Sequence, residues 1–436
     1  MDPKITTPRG TVDILPSEIS AWTFVEGVAR GLFSRYGYRE IRTPVFEDVG
    51  LFKRSLGDTT EVVNKQLLEV RSQRADGPEA PFALRPEGTA PVVRAYNEKN
   101  LGREEYLSKF FYMGPMFRGE RPQRGRLRQF HQIGVEAIGR GADHPLVDAE
   151  ILTLAVDLLK SLGVHGFRLQ INSLGTKEDK AAFSEWLRTA LKDKVQGLSE
   201  TARDQYERNV FRLLDSKDPA CQEVIRGLEI GQKHLSQGGR EYFDEVRRNL
   251  DALGIAYEVS PRLVRGLDYY THTVFEITCD KLGAQDAIGA GGRYNGLIEQ
   301  LGGGDPRLGK PFGAIGFAFG IERILLALEG QAFPTRDDLE VFVIAGSAAL
   351  AHEAFVLVQK LRSEGIRADM DHTARPFKKQ IEEADRREAS FAVILGEEEA
   401  RAGQVAIKNM TTGDQVVISR NDIVSRVREK CGRCSG

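Results

Sequence analysis

The chain has 436 residues, enough for two or three domains that each bury a hydrophobic core. Its 41% hydrophobic and 28% charged residues are typical of globular proteins. The formal net charge of -2 excludes a general positive field that would attract nucleic acid, so any nucleic-acid binding depends on local patches.

The sequence carries the features of a cytoplasmic protein. Residues 1–10 contain no apolar stretch typical of a signal peptide, and no apolar run approaches the ~18–20 residues of a membrane-spanning helix. The four cysteines are too few for a disulfide framework and fit a reducing compartment. Cys431 and Cys434 form a CxxC without a second pair, so we expect a tail at 431–436 and no zinc site.

The first third of the chain predicts a mixture of helices and antiparallel strands. Ser17 is a suitable N-cap for a helix that continues to Arg35. The alternation from Tyr38 to Pro44 predicts a short strand that ends at the proline. Residues 82–89 predict a strand that breaks into a turn, followed by a helix over 90–100. Residues 110–118 and 128–138 predict a hairpin with a polar, arginine-rich loop.

The composition changes between about 176 and 252, where charged residues at helical spacing predict a helical insertion. Strand patterns return at 257–260, 263–277 and 312–318, and a helix follows over 320–328. Residues 331–338 are polar and predict a linker. Beyond them, strands at 341–345, 366–371 and 391–396 alternate with helices at about 348–364 and 376–388. That order is typical of a separate α/β domain with parallel strands.

Two glycine-rich segments do not fit the standard nucleotide-binding motifs. Gly304 and Lys310 match the ends of a P-loop, but Pro311 stands where a Ser or Thr should bind Mg²⁺. In the segment 289–294, Tyr294 stands where a dinucleotide motif needs its third glycine.

The loop 118–128 indicates a different kind of phosphate site, because it holds five arginines and one glutamate in eleven residues. Arg118 stands at a strand end, where its planar, permanently charged fork can bind a phosphate. Glu120 can accept from an exocyclic amine or position a cation. The segment 316–323 is a glycine-rich strand that ends in Glu322 and Arg323, and this arginine can pair with phosphate or stack on a base. A solvated charged loop and ordinary helix packing are the alternatives.

In this order, the segments resemble the three motifs of class II aminoacyl-tRNA synthetases: a strand ending at Pro44, the FRGE of 117–120, and Glu322-Arg323. The segments LVRGLDYYTHTVFE at 263–276 and GAGGRYNGLIE at 289–299 resemble signatures of the histidyl-tRNA synthetase family. The segments 84–89 and 128–132 fit that family too. The resemblance extends from about residue 8 to residue 425.

The resemblance implies an α+β catalytic domain at 1–330, in which an antiparallel sheet is flanked by helices and carries the helical insertion. It implies a linker at 331–338 and an α/β anticodon-binding domain at 339–430. It further implies a cytoplasmic homodimer, formed largely through the motif 1 region. The expected reaction joins histidine to histidine tRNA at the expense of ATP. Mg²⁺ would arrive with the ATP, and neither a protein metal site nor DNA nor a membrane is expected.

The resemblance also implies roles for single residues in the ATP site. Arg118 and Arg265 are the catalytic residues and approach the α-phosphate from opposite sides, and Arg118 also holds the histidine carboxylate. Arg323 contacts the γ-phosphate and the adenine face. Glu120 contacts adenine or the metal-linked phosphates. Arg121 and Gln123 contact the tRNA acceptor end.

For histidine, the resemblance implies that Glu136 and Tyr270 read the two imidazole nitrogens. The α-amine is held by Gln132, Glu87 and Thr89, in a loop shaped by Gly88, and Tyr269 lines the pocket. Alternation along a strand would place the two adjacent tyrosines on opposite faces, so ordinary strand aromatics are the alternative. We expect His131 to be structural, because the sequence shows no partner that would make it a general base.

Two other functions fit parts of the pattern. One is a regulatory subunit of histidine biosynthesis that resembles the synthetase core but lacks the anticodon domain and signature residues. The other is a tRNA-binding module without the histidine pocket. Both are less consistent with a chain that has Arg118, Arg265, Glu136 and Arg323 together with a C-terminal domain.

Overall fold

The computed structural model describes residues 4–57, 60–70, 81–216, 218–265, 267, 269–304, 312–333, 339–373 and 375–430. The chain divides into two compact units, residues 1–333 and 334–436. The P-loop-like segment after Gly304, most of the expected linker and the tail with both of its cysteines lie outside the described residues. Within the described ranges, every helix is too short or too polar to cross a membrane.

The first unit contains a large sheet, a small sheet and the helices around them. Its strands are β1 Arg39–Glu40, β2 Phe46–Asp48, β3 Leu68–Val70, β4 Phe82–Leu84, β5 Ser108–Phe117, β6 Gln129–Gly139, β7 Phe167–Ser173, β8 Glu258–Val259, β9 Thr271–Cys279, β10 Ala287–Arg293 and β11 Gly313–Gly320. Its helices are α1 Pro16–Arg35, α2 Val49–Leu56, α3 Thr89–Glu98, α4 Pro145–Ser161, α5 Lys177–Leu191, α6 Glu200–Arg208, α7 Pro219–Arg226, α8 Gln237–Ala252, α9 Leu297–Gln300 and α10 Ile321–Ala327.

The large sheet has the strand order β1-β5-β6-β11-β10-β9-β7-β8, and β2-β4-β3 form the small sheet. The neighbours in the large sheet are antiparallel except at its two edges, where β1–β5 and β7–β8 are parallel. One face of the large sheet packs its apolar side chains against α1, α4 and α8. Because side chains alternate along a strand, the polar residues between them point to the opposite face. The predicted antiparallel sheet with flanking helices is confirmed.

Three predicted boundaries in the first unit are wrong. Helix α1 begins one residue before Ser17, at Pro16, and the Glu18 carboxylate accepts from the backbone amide of Leu15 at 3.2 Å. Proline suits the first helical position because a backbone N–H at that position would have no partner within the helix. The strand expected over 38–44 is only β1, because the carbonyls of Thr43 and Pro44 accept from the Arg85 guanidinium instead of a neighbouring strand.

The strand expected over 263–277 is also too long, since β9 begins only at Thr271. Before it, the Asn172 side chain donates to the carbonyls of Pro261 and Leu263 at 3.2 and 3.0 Å. Side-chain bonds of this kind compete with a regular ladder and hold the chain in a loop. The insertion between β7 and β8 is helical, as its composition predicts.

The second unit is an α/β domain. Its elements are β12 Val341–Ala345, α11 Ala351–Ser363, β13 Ala368–Met370, α12 Phe377–Arg386, β14 Phe391–Leu395, α13 Glu397–Arg401, β15 Gln404–Asn409, β16 Gln415–Ser419 and α14 Ile423–Lys430. The sheet order is β13-β12-β14-β15-β16, with β12 parallel to both of its neighbours. The predicted parallel strands are confirmed. The antiparallel extension by β15 and β16 was not predicted.

Arg293, at the end of β10, is fully buried and forms an ion pair with the equally buried Asp148 of α4. Asp148 also accepts from the hydroxyl of Tyr242 in α8 at 3.1 Å, so the pair joins the sheet to two helices. Removing one member of such a pair leaves an uncompensated charge in the core.

We therefore expect Asp148→Asn to lower the free energy of unfolding of the first unit by about 3–5 kcal/mol, measured by urea titration. Asp280→Asn is the matched control, since its partner Arg168 is 48% exposed and Asp280 is 67% exposed. The control should cost less than about 1 kcal/mol. Equal losses in the two variants would contradict the structural importance of the buried pair.

Candidate active site

A cavity of about 440 Å³ lies on the large sheet, and its walls come from β6, β9, β10, β11, the β5–β6 loop and the start of α3. The sequence-predicted residues that line it are Glu87, Thr89, Arg118, Glu120, Gln132, Arg265, Tyr269, Tyr270 and Arg323. The structure thus brings together side chains from segments that are far apart in the chain. Arg212 of the insertion also lines the cavity and was not predicted.

Glu136 lies directly beneath the cavity wall and is only 1% exposed. The Thr89 hydroxyl donates to its Oε1 at 2.7 Å, and the Tyr294 hydroxyl donates to its Oε2. Burial raises the pKa of Glu136 to about 8, although both hydroxyls favour the ionised form. Gly316, which is opposite Glu136 in β11 and lines the cavity, leaves room for Oε2, because a Cβ there would overlap that oxygen.

Gln132 is on the same face of β6 as Glu136, since it stands four residues earlier in a strand. Its Oε1 is buried and has no hydrogen-bond partner among the residues that the structure describes. Such an acceptor is costly unless a ligand donates to it. Gln132 therefore marks a place in the cavity where an ammonium or N–H group fits.

The turn 87–89 leads into α3 on the same side of the cavity. The Glu87 carboxylate accepts from the amides of Thr89 and Ala90 at 2.7 and 2.9 Å, which satisfies free donors at the start of the helix. Burial raises the pKa of Glu87. A Cβ on Gly88 would overlap the ring of Tyr112, a buried residue that the sequence reasoning missed. Glycine at 88 thus makes room for that ring.

Tyr269 and Tyr270 both line the cavity, so the alternative of two ordinary strand aromatics on opposite faces does not hold. The reason is that they precede β9 and do not follow its alternation. Their ring centroids are 4.6 Å apart, and Tyr269 also meets Tyr294 edge-on at 5.6 Å. Burial raises the pKa of Tyr270 to about 12, so its hydroxyl keeps its proton at neutral pH.

Arg118 is held where the hairpin strands end. Its amide donates to the Arg128 carbonyl at 2.8 Å, and its Nε donates to the Pro86 carbonyl at 2.9 Å. The guanidinium lies over the Phe130 ring, 5.2 Å from the centroid. Burial lowers the pKa of Arg118, although a guanidinium remains charged at neutral pH. These contacts leave the terminal nitrogens of the fork directed to the cavity.

Arg265 forms an ion pair with Glu276, which also lines the cavity. Burial alone would lower the pKa of Arg265, but the Glu276 carboxylate more than offsets this effect. Its Nε is buried without a hydrogen-bond partner in the described part of the chain. The cavity therefore contains the guanidinium groups of Arg118 and Arg265, from distant segments of the chain, and Arg126, Arg212 and Arg323 also line it.

Arg323 lies in the first turn of α10, after the glycine-rich strand, and connects the hairpin loop to the sheet. Its Nε donates to the Gly125 carbonyl at 3.1 Å, and Nη1 donates to Ala287. The neighbouring Glu322 accepts from the amide of His131 at 2.9 Å and contacts its Nδ1 at 2.9 Å. His131 thus has a partner that the sequence did not reveal, and this contact supports its structural role.

The other residues predicted on the hairpin loop differ in their position relative to the cavity. Glu120 lines the cavity and lies 3.5 Å from Arg126. Arg121 and Gln123 are exposed and do not line the cavity. The backbones of Gln123 and Arg126 exchange hydrogen bonds of 3.0 and 2.9 Å, which forms a defined tip to the loop.

A turn near the N-terminus, missed by the sequence reasoning, supports the same hairpin. The Gly10 carbonyl accepts from the amide of Arg128 at 2.7 Å. Gly10 has a φ of +90°, and a Cβ there would lie 2.8 Å from Pro122 and 2.9 Å from Arg128. The sequence PRGT at 8–11 could have indicated this turn, because glycine readily adopts a backbone conformation with positive φ.

Comparisons with known proteins agree with this geometry. A family model described as histidyl-tRNA synthetase matches residues 10–324, and one described as an anticodon binding domain matches residues 340–430. The chain is 42% identical over 427 residues to the histidine–tRNA ligase of Halothermothrix orenii, covering 98% of this chain and 99% of that protein. It is 44% identical to the histidine–tRNA ligase of Moorella thermoacetica, covering 97% of each.

Solved structures show the same relationship. The apo histidyl-tRNA synthetase of S. aureus superposes with a TM-score of 0.79 at 35% identity, covering 98% of this chain and 100% of that chain. A Bacillus halodurans protein described as an ATP phosphoribosyltransferase regulatory subunit/histidyl-tRNA synthetase gives 0.60 at 22% identity, over 85% of this chain and 93% of that chain, which shows a shared fold alone. Given the match of both family models and relatives over nearly the full length, the chain belongs to the histidyl-tRNA synthetase family.

Proposed function

We propose that this chain ligates histidine to histidine tRNA through the cavity described above. The observation that carries the proposal is the composition of that cavity, in which the buried Glu136 bonds to two lining residues and five arginines, Arg118 and Arg265 among them, supply guanidinium groups. A substrate with a polar ring at one end and a reacting carboxylate at the other matches this arrangement. The regulatory-subunit alternative is not favoured, because relatives that match nearly the whole chain are histidine–tRNA ligases.

Glu136 and Tyr270 read the imidazole in this proposal. A neutral imidazole offers one donor and one acceptor, so a carboxyl group and a phenol can satisfy both nitrogens. Gln132, Glu87 and Thr89 hold the α-amine, which is supported by the unpartnered Oε1 of Gln132. Tyr269 forms a side wall, and Gly88 keeps the loop clear of the Tyr112 ring.

In the first step, an oxygen of the histidine carboxylate attacks the ATP α-phosphorus, and the bond to the β-phosphate breaks to release pyrophosphate. Arg118 and Arg265 stabilise the negative charge on the five-coordinate phosphorus. Arg323 contacts the γ-phosphate and adenine, and Glu120 contacts adenine or the phosphates. Mg²⁺ enters with the ATP, as hard cations prefer phosphate oxygens. Positioning and charge stabilisation therefore carry the chemistry.

In the second step, a hydroxyl of the terminal tRNA ribose attacks the acyl carbon of histidyl-adenylate, and AMP leaves. Arg121 and Gln123 contact the acceptor end, a role supported by their exposure on an ordered loop tip. The second unit, which matches an anticodon-binding domain, binds the anticodon. The reaction takes place in the cytoplasm in this proposal.

The chain acts as a homodimer in this proposal. Large apolar side chains of the motif 1 region and its neighbourhood are exposed in the single chain, with Phe46 at 51% and Tyr106 at 67%. Exposed apolar groups of this size are frequent at protein interfaces. A second copy of the chain would cover them.

We expect pyrophosphate exchange into ATP to depend on histidine alone when all twenty amino acids are tested. Glu136→Gln should raise the KM for histidine about 10- to 100-fold, because an NH₂ group replaces one of the two carboxyl oxygens that accept hydrogen bonds at this site. The KM for ATP should change little. Exchange with no amino acid, from a folded protein, would exclude the ligase assignment, and an unchanged histidine KM would exclude Glu136 as the imidazole reader.

The same variant tests the pKa of Glu136. Since burial raises this pKa to about 8, the carboxyl group stabilises the empty fold below its unfolded value of 4.5 and loses that contribution as the pH rises to about 8. The thermal midpoint of the wild type should therefore fall relative to that of Glu136→Gln between pH 5 and pH 8. Parallel curves would contradict the raised pKa.

Arg118→Lys and Arg265→Lys should each lower the kcat of pyrophosphate exchange about 100- to 1000-fold, because a point charge replaces a planar fork at the transition state. Arg121→Ala is the matched control on the same hairpin. It should leave exchange unchanged and slow only the transfer of histidine to tRNA. Normal exchange by the lysine variants would remove those arginines from the catalytic step.

Equilibrium sedimentation should give a mass of about twice 48.5 kDa for the wild type. Phe46→Asp should shift the equilibrium toward the single chain, since it introduces a charge into the proposed interface. Phe355→Asp, which changes an exposed phenylalanine of the second unit, is the control and should remain dimeric. A wild type that sediments as a single chain at micromolar concentration would contradict the homodimer.

A further inference from the structure

The segment 261–272 carries four cavity residues, Arg265, Leu267, Tyr269 and Tyr270, and the strand β9 begins only at Thr271. Contacts outside the β-sheet must therefore hold the part of this segment that precedes β9. The helical insertion, residues 176–252, and the residues that lead into it contact this segment at both ends.

At the far end, the Arg262 guanidinium donates to the carbonyl of Arg226, the last residue of α7, at 3.3 Å. At the near end, the amide of His272 donates to the Gly175 carbonyl at 2.7 Å, and the amide of Leu174 donates to the His272 carbonyl at 2.8 Å. His272 has a φ of +44°, a conformation that side-chain-bearing residues rarely adopt. These two hydrogen bonds hold the strained backbone of His272, which follows Tyr269 and Tyr270 closely in the chain.

A third contact reaches the histidine-reading residue itself. The ammonium group of Lys180, in the first turn of α5, donates to the backbone carbonyl of Tyr270 at 3.1 Å. A cation in the first turn gains nothing from the helix dipole, which favours anions there. Lys180 therefore gains no stabilisation from the helix dipole at this position, where its ammonium group contacts Tyr270.

Helix α5 is itself fixed at this end. The Thr176 side chain accepts from the Asp179 amide at 3.2 Å, and the Asp179 carboxylate accepts from the amide of Ser236, the N-cap of α8, at 2.8 Å. Asp179 thus joins the first and last helices of the insertion. The backbone around Lys180 is anchored well enough for its side chain to position another group.

We propose that Lys180 is a positioning residue for histidine recognition: its ammonium group fixes the Tyr270 carbonyl, and this contact sets the direction of the Tyr270 phenol. Through it, the helical insertion supports the amino-acid pocket. The inference rests on the proposed role of Tyr270 as an imidazole reader. The hydrogen bond goes to the backbone, so it persists when the Tyr270 side chain is replaced.

The test measures the KM for histidine and for ATP in pyrophosphate exchange. Lys180→Met keeps the aliphatic stem and removes the donor, and should raise the KM for histidine about 5- to 10-fold while the KM for ATP and the thermal midpoint stay unchanged. Lys180→Arg should restore part of the loss. Lys192→Met, an exposed lysine at the other end of α5, is the control and should behave as the wild type.

A double-mutant cycle with Tyr270→Phe separates this inference from the one on which it rests. Tyr270→Phe alone should raise the KM for histidine, and Lys180→Met should add little in that background because the phenol it directs is gone. If Tyr270→Phe has no effect, the proposed role of Tyr270 fails. If Tyr270→Phe has its effect but Lys180→Met leaves the histidine KM unchanged, or raises both KM values together with a lower thermal midpoint, the positioning role of Lys180 is overturned.

Discussion

A buried carboxyl group at the centre of the large sheet is the constraint on which the rest of the site depends. Glu136 is placed by β6 between two neighbouring strands, and it fits because Gly316 opposite it has no side chain. Two hydroxyl groups, from α3 and from the end of β10, compensate part of the cost of its burial. The glycine-rich strand β11 therefore leaves, at Gly316, the space that the Glu136 carboxyl group needs.

The charges of the cavity are arranged so that each is fixed by a different element. Glu87 is held by the helix start, Arg118 by the hairpin end, and Arg265 by its ion pair with Glu276. Fixed charges in a partly dehydrated cavity need little rearrangement when a charged substrate enters. This is the behaviour expected of the site proposed above for a carboxylate and a phosphate.

Local signals predicted much of this organisation. The hairpin, the helical insertion and the parallel strands of the second unit follow from periodicity within each segment, and the family motifs placed most cavity residues. The failures come from non-local contacts. The Arg85 guanidinium donates to the carbonyls of Thr43 and Pro44, and this ends the strand at that point. Asn172 donates to the carbonyls of Pro261 and Leu263, where the strand was expected to begin. In both cases a side chain distant in sequence sets where the strand lies, and the local sequence pattern does not show this contact.

The turn at Gly10 has a consequence for how the chain is handled. Its contacts with Arg128 join residues that are separated by more than a hundred positions, Arg9 and Arg128 being 119 apart. The segment around Gly10 thus supports a hairpin that lies far from it in the sequence. A variant without residues 4–11 would lose no cavity residue, yet it would leave the amide of Arg128 without its acceptor and loosen the strand end that carries Arg118.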